Sequence, residues 1–266
     1  MIALLFAAIP PVPSPPAPIF TSTPAPISER AILENETDTA LARGKAIGGT
    51  LGVTIVDLST GARTARNGDA NLPLGAVQNL AFAVLALREV DAGTIAKAPA
   101  TDAVMRMLVN GDAQATDELI GVLGGTESVN AKLRALGFGD IFTVPNDEGY
   151  ASSDAIAHLL TAVAGGSLLS PASSSVLLNV LSDVHAGANR LRAGLTPSAQ
   201  LMHVTGTLPD TDDRNEATND AGITYVDGRT MIVVALLHDG RGSANDRDRV
   251  LAAAARAAAD AAAANP

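Results

Sequence analysis

Two kinds of hydrophobic pattern divide this chain between its ends and its middle. Near the start and beyond position 200, apolar residues come in short runs bounded by turn residues. They predict strands at Thr50 to Asp57, Arg63 to Arg66, Leu201 to Gly206, Ile223 to Val226 and Thr230 to Leu237. Ser59-Thr60-Gly61 and Asp227-Gly228 then close two hairpins. Helical spacing governs the rest. Ser28 to Arg43 puts Ile32, Leu33 and Leu41 on one side, and Ala76 to Val90 is apolar on nearly every side until Arg88 and Glu89. The latter is the pattern of a helix buried at the centre of a domain. Shorter helices are expected at Asp102 to Val109, Ala115 to Leu123, Thr126 to Leu136, Ser153 to Ala164 and Pro171 to Leu181. Ser170 and Pro171 supply the cap and first position of the last of these. Ser243 to Ala262, rich in Ala, closes the chain as a helix by propensity as much as by pattern.

That order predicts an α+β fold: a five-stranded antiparallel sheet flanked by N- and C-terminal helices, plus an all-helical lobe. Residues 28–262 form one domain, with a sheet lobe at 28–68 and 195–262 and a helical lobe at 69–194. Residues 1–27 stand apart. Ile2 to Ile9 is apolar but too short to span a bilayer, and Pro10 to Pro26 is rich in Pro, Ser and Ala. This reads as an export signal, with Phe6-Ala7-Ala8 as a loose cleavage site, followed by an extended tether. A disordered cytoplasmic tail is the alternative. The export reading makes the protein periplasmic or secreted and not integral to a membrane.

Composition narrows the chemistry. With 18 Lys and Arg against 28 Asp and Glu, the net charge is -10, which leaves no basic surface to displace phosphate counterions. Nucleic acid is therefore excluded as a partner. The chain has no Trp and only two Tyr and five Phe, so a stacking platform is not expected. It has no Cys, which removes thiol catalysis, Cys-ligated metals and disulfides. His158, His185, His203 and His238 lie too far apart for a zinc-protease spacing, and nothing calls for a metal or cofactor.

Three stretches carry a family resemblance. Gly52-Val53-Thr54-Ile55-Val56-Asp57-Leu58-Ser59-Thr60-Gly61, Asn71-Leu72-Pro73-Leu74 and Asn219-Asp220-Ala221-Gly222 follow one another in the order and spacing of the class A β-lactamases and related penicillin-binding serine hydrolases. The resemblance covers about residues 28 to 262. It implies a nucleophilic Ser at the start of the central helix and a Lys one turn later, on the same face, to assist proton removal. Ala76 and Asn79 occupy those positions. A methyl group has no lone pair, and an amide is not a base at neutral pH. The family's Ser-Asp-Asn corresponds to Gly111-Asp112-Ala113, where only Asp112 remains, more simply read as a turn or helix-cap residue. Its Lys-Thr-Gly reads Val204-Thr205-Gly206, followed by Thr207.

The chain thus resembles a catalytically degenerate homologue, one that keeps the fold and loses the nucleophile, base, proton shuttle and anchoring cation. Thr205, Gly206 and Thr207 still offer donors to a ligand carboxylate, and Arg190 can lend charge to a pocket, although Arg190 and Arg192 also suit a loop-tethering role. His203 is a weak catalytic candidate that strand alternation turns away from the cleft. Glu148 is a second weak candidate, in a segment much shorter than the family's deacylating loop. Two functions follow. One is an inactive β-lactamase-like protein that binds a small molecule, a cell-wall fragment or a protein between its lobes. The other is a non-serine hydrolase or other enzyme using Asp112, Glu148, His203 or the cluster Asp210, Asp212 and Asp213. That cluster has oxygen ligands for Ca²⁺ but not the spacing of a calcium loop, and is better read as a solvated loop.

Overall fold

The computed structural model of the protein describes residues 27–144, 149–209 and 216–264. The export-signal reading, Glu148 and the Asp210, Asp212 and Asp213 cluster therefore lie outside the described residues. In chain order the elements are α1 (Ile27–Ala46), β1 (Thr50–Asp57), β2 (Arg63–Arg66), β3 (Leu72–Pro73), a 3-10 turn (Gly75–Gln78) and α2 (Asn79–Asp91). Next come α3 (Lys97–Asn110), α4 (Ala113–Val122), α5 (Gly125–Ala135), β4 (Tyr150–Ala151), α6 (Ser153–Ala164), α7 (Pro171–Ser182) and the short α8 (Leu191–Gly194). β5 (Gln200–Leu208), β6 (Ala217–Val226), β7 (Arg229–His238) and α9 (Ala244–Ala263) complete the fold.

Five strands build one antiparallel sheet in the order β2-β1-β7-β6-β5, so the two ends of the chain meet in its middle. β7 shows why its sequence is apolar without alternation. Ile232, Val234 and Leu236 join the core shared with the helical lobe, while Met231, Val233, Ala235 and Leu237 join the core beneath α1 and α9. A strand covered on both faces needs an apolar side chain at every position. The small side chains of α9, among them Ala254, Ala255 and Ala258, let that helix lie close against the sheet and α1. Arg229 crosses this layer, pairing with Glu29 of α1 and Asp57 of β1 while all three are buried.

The α+β architecture is as the sequence pattern predicts, and its departures have identifiable causes. The central helix does not begin as an α-helix at Ala76: a 3-10 turn covers Gly75–Gln78 and α2 proper starts at Asn79. α3 starts at Lys97 rather than Asp102, because Pro99 falls in the first turn, where no intrahelical donor is lost. β6 begins at Ala217, six residues before the expected Ile223. Its opening residues Thr218, Asn219 and Asp220 are polar and buried, which hid the strand from hydrophobic patterning.

Candidate functional site

The place where α2 begins is held by hydrogen bonds as well as by the packing of Leu74, Val77 and Leu80. Leu74 N donates to Gly149 O at 2.8 Å, and β3 pairs with β4 through Leu72 and Ala151. From the sheet, Asn219 reaches across: its amide donates to Pro73 O (2.8 Å) and Leu74 O (3.0 Å) while its carbonyl accepts from Leu237 N (3.0 Å). Gly206 of β5 presses on the same turn. A methyl added there would meet Leu74 O and sit 3.0 Å from both Ala76 N and Val77 N, so only glycine permits this approach.

Ala76 is exposed in this turn, although Leu72, Leu74, Val77 and Leu80 around it are buried. The position where the resemblance expects a nucleophile therefore faces outward with a methyl group. One turn later Asn79 donates its backbone N–H to Ala76 O and is itself buried. Gly111 ends α3 in the left-handed conformation (φ +65°), and Asp112 follows as the N-cap of α4. The Asp112 carboxylate accepts from Gln114 N at 2.9 Å and Ala115 N at 3.2 Å, and Arg106 Nη1 lies 2.6 Å from its other oxygen. The Arg106 hydrogen bond, then these amides, hold its pKa below the usual carboxylate range. Such an acid is a weak base. Ala113 is exposed in the first turn of α4.

β5 divides its residues between two environments. Val204 is buried in the core shared with the helical lobe and pairs in register with Ala221. On the other face lie His203, Thr205 and Thr207, the first buried and the last exposed. Arg190 enters here from the loop before α8. Its guanidinium reaches Thr207 Oγ1 (2.6 Å), Gly206 O (3.2 Å), Asn219 O (3.0 Å) and Asp248 (3.0 Å). A cation thus stands beside Thr207, while Val204 holds the position where the resemblance expects a lysine. Arg192 points elsewhere, to Ala199 O and Thr196 O.

The expectation that alternation turns His203 from the ligand candidates is corrected, since it shares the face of Thr205 and Thr207; what removes it is enclosure in a buried pair. Nδ1 lies 2.8 Å from Asp220 Oδ1, Nε2 lies 3.1 Å from Val184 O, and Asp220 Oδ2 accepts from Leu191 N at 3.2 Å. Both ring nitrogens face acceptors, so the pair is satisfied only when it holds a proton between imidazole and carboxylate. Burial opposes charge on His203, but the Asp220 hydrogen bond and charge outweigh it and raise the imidazole pKa. Burial likewise raises that of Asp220, with His203 opposing. Together they tie both ends of the loop carrying Arg190. Sequence reasoning missed Asn219 and Asp220 as organising residues. The available signal was two polar side chains of opposite parity inside a segment that otherwise alternates correctly for a strand.

The frame, then, is a five-stranded sheet packed on a helical lobe, with hydroxyls and Arg190 along one strand edge and a methyl at the helix start. Comparison with known proteins agrees on the frame. Residues 95–262 match the model of the beta-lactamase enzyme family, and the chain belongs to that family. It is 28% identical to beta-lactamase L2 of Stenotrophomonas maltophilia over 86% of each chain. A beta-lactamase from Chitinophaga pinensis superposes with a TM-score of 0.80 at 24% identity, covering 86% of this chain and 99% of that one. A class A beta-lactamase representative from Bacteroides cellulosilyticus gives 0.80 at 18% identity, covering 89% and 99%.

Proposed function

We propose that this chain is a catalytically silent member of the beta-lactamase enzyme family that acts by reversible binding in the cleft between its lobes. The observation that carries the reading is the exposed methyl of Ala76 at the start of the central helix. Three further features support it: the buried Asn79 amide one turn on, the Ala113 methyl, and Val204 absorbed into the core. With no nucleophile and no base at these positions, the family's acyl-transfer route has no first step. Arg190, Thr205, Gly206 and Thr207 suit a ligand that presents a carboxylate, such as a cell-wall peptide fragment, and a protein partner with an acidic terminus has the same chemistry. The export reading of residues 1–27 places this function in the periplasm or outside the cell. Among the described residues no helix is long and apolar enough to cross a membrane.

The alternative enzyme reading draws little from its described candidates. Asp112 is engaged as a cap and by Arg106, and His203 is enclosed with Asp220. The test is calorimetric titration of the whole chain with a muropeptide ending in a free carboxylate. Saturable heat, unaltered muropeptide after long incubation, and weakening by both Arg190→Gln and Thr207→Ala support the proposal. Cleavage of the muropeptide or of a chromogenic β-lactam overturns it, and so does an affinity indifferent to both substitutions.

A further inference from the structure

Toward the N-terminal end of β5 lies an open pocket of about 600 Å³ that Arg190, Thr205, Gly206 and Thr207 do not line. Its walls come from the end of α7, the loop after it and residues 200–203 of β5. The volume is within the range of about 300–1,000 Å³ typical of small-molecule sites. Leu178, Leu201 and Met202 give it an apolar side, whereas Arg192, His185 and His203 are the ionisable groups in its lining. No Asp or Glu is among the lining residues, although the chain as a whole carries a net charge of -10. The sign of this concavity is therefore opposite to that of the molecule.

We propose that this pocket is a second ligand site, independent of the cleft, and that it takes a small amphiphilic anion, of which an aliphatic carboxylate is the simplest case. Arg192 supplies the charge. Its guanidinium is held by the carbonyls of Ala199 and Thr196, and among the described residues no carboxylate neutralises it. Asp220 balances His203, so that imidazole adds a fixed wall more than net charge, while the exposed His185 adds charge only when protonated. Because β5 is the last strand of the sheet, its outer backbone edge is not taken by another strand and offers further donors to an anionic head group. The apolar tail then covers Leu201 and Met202, each partly exposed. Any occupant also rests against the loop whose ends are held by His203 at Val184 and by Asp220 at Leu191.

The test uses the full chain with methyl-labelled methionine, since Met202 lines this pocket and is one of only five methionines. Octanoate is titrated at pH 7, with octylammonium as the opposite-charge control. The proposal expects a saturable shift of the Met202 methyl with octanoate and none with octylammonium. Ala188, exposed on the pocket rim, allows a sign test without disturbing the fold. Ala188→Glu should weaken octanoate roughly tenfold and Ala188→Lys should tighten it severalfold, as expected for a charge a few ångströms from the head group. Absence of saturation, an equal response to octylammonium, or indifference to the charge at position 188 overturns the proposal. Loss of octanoate binding in Arg190→Gln with no effect at position 188 also overturns it, because the ligand then sits in the cleft.

Discussion

The two faces of β5 have met different fates. On one, Val204 is buried with the helical lobe, Leu208 is buried as well, and Gly206 is pressed against the turn that carries Ala76. On the other, His203, Thr205 and Thr207 are polar; His203 is tied to Asp220 and Val184, and Thr207 to Arg190. The first face has joined the core, and the second carries the hydroxyls that the proposed function assigns to an anionic ligand. Under that proposal a single strand separates binding from bond-making, because alternation places the two sets of side chains on opposite sides.

The seam beneath both faces offers the strongest way to break this picture. Asn219→Ala would take this partner from the Pro73 carbonyl and the Leu237 amide, both in the interior, and leave Leu74 O with Val77 N alone. It should cost about 4 kcal/mol, at roughly 1–3 kcal/mol for each unsatisfied buried group, read as a shift in the urea midpoint. A loss under 1 kcal/mol would mean that the seam does not depend on this residue. Next, Val204→Lys restores the residue type of the third motif but places it in apolar surroundings. It should destabilise by about 3 kcal/mol without conferring hydrolysis. A stable variant would show that Val204 still faces an open cleft.

The polar face yields smaller effects. The His203 pKa is raised in the fold, so its stabilising contribution is complete below the unfolded value of about 6.5 and is lost as pH rises through the folded value. The melting temperature should therefore drift down above neutral pH by an amount that His203→Gln removes. An identical pH profile in the variant would exclude the pair as its source. Smallest of all, Thr207→Ala gives up one hydrogen bond to Arg190 at the exposed end of the strand and should change stability by roughly 0.5–1 kcal/mol. A larger loss would make Thr207 part of the frame.

Much of the frame was legible from pattern alone because burial and apolarity coincide in it. β1 runs over Thr50–Asp57 and α6 over Ser153–Ala164, the spans that their hydrophobic patterns predict. Patterning failed where burial and polarity coincide. Thr218, Asn219 and Asp220 are interior strand residues that look like a turn, because their burial is compensated by partners distant in sequence, at Arg247, Pro73, Leu74, His203 and Leu191. The candidate site divides the same way. The identities of Ala76, Asn79, Ala113 and Val204 at the positions the resemblance assigns to its motifs are read directly from the sequence. That Arg190 stands beside Thr207 could not be read, because a guanidinium on a loop has too many reachable partners for spacing to choose among them.

The central claim is that no acyl bond can form at the start of α2. Intact-protein mass spectrometry after prolonged incubation with a penicillin, and separately with a fluorophosphonate serine probe, tests it most directly. The account predicts a mass unchanged in both cases. A stoichiometric increase equal to the bound penicillin or the phosphonyl group, localised to any serine, would contradict it.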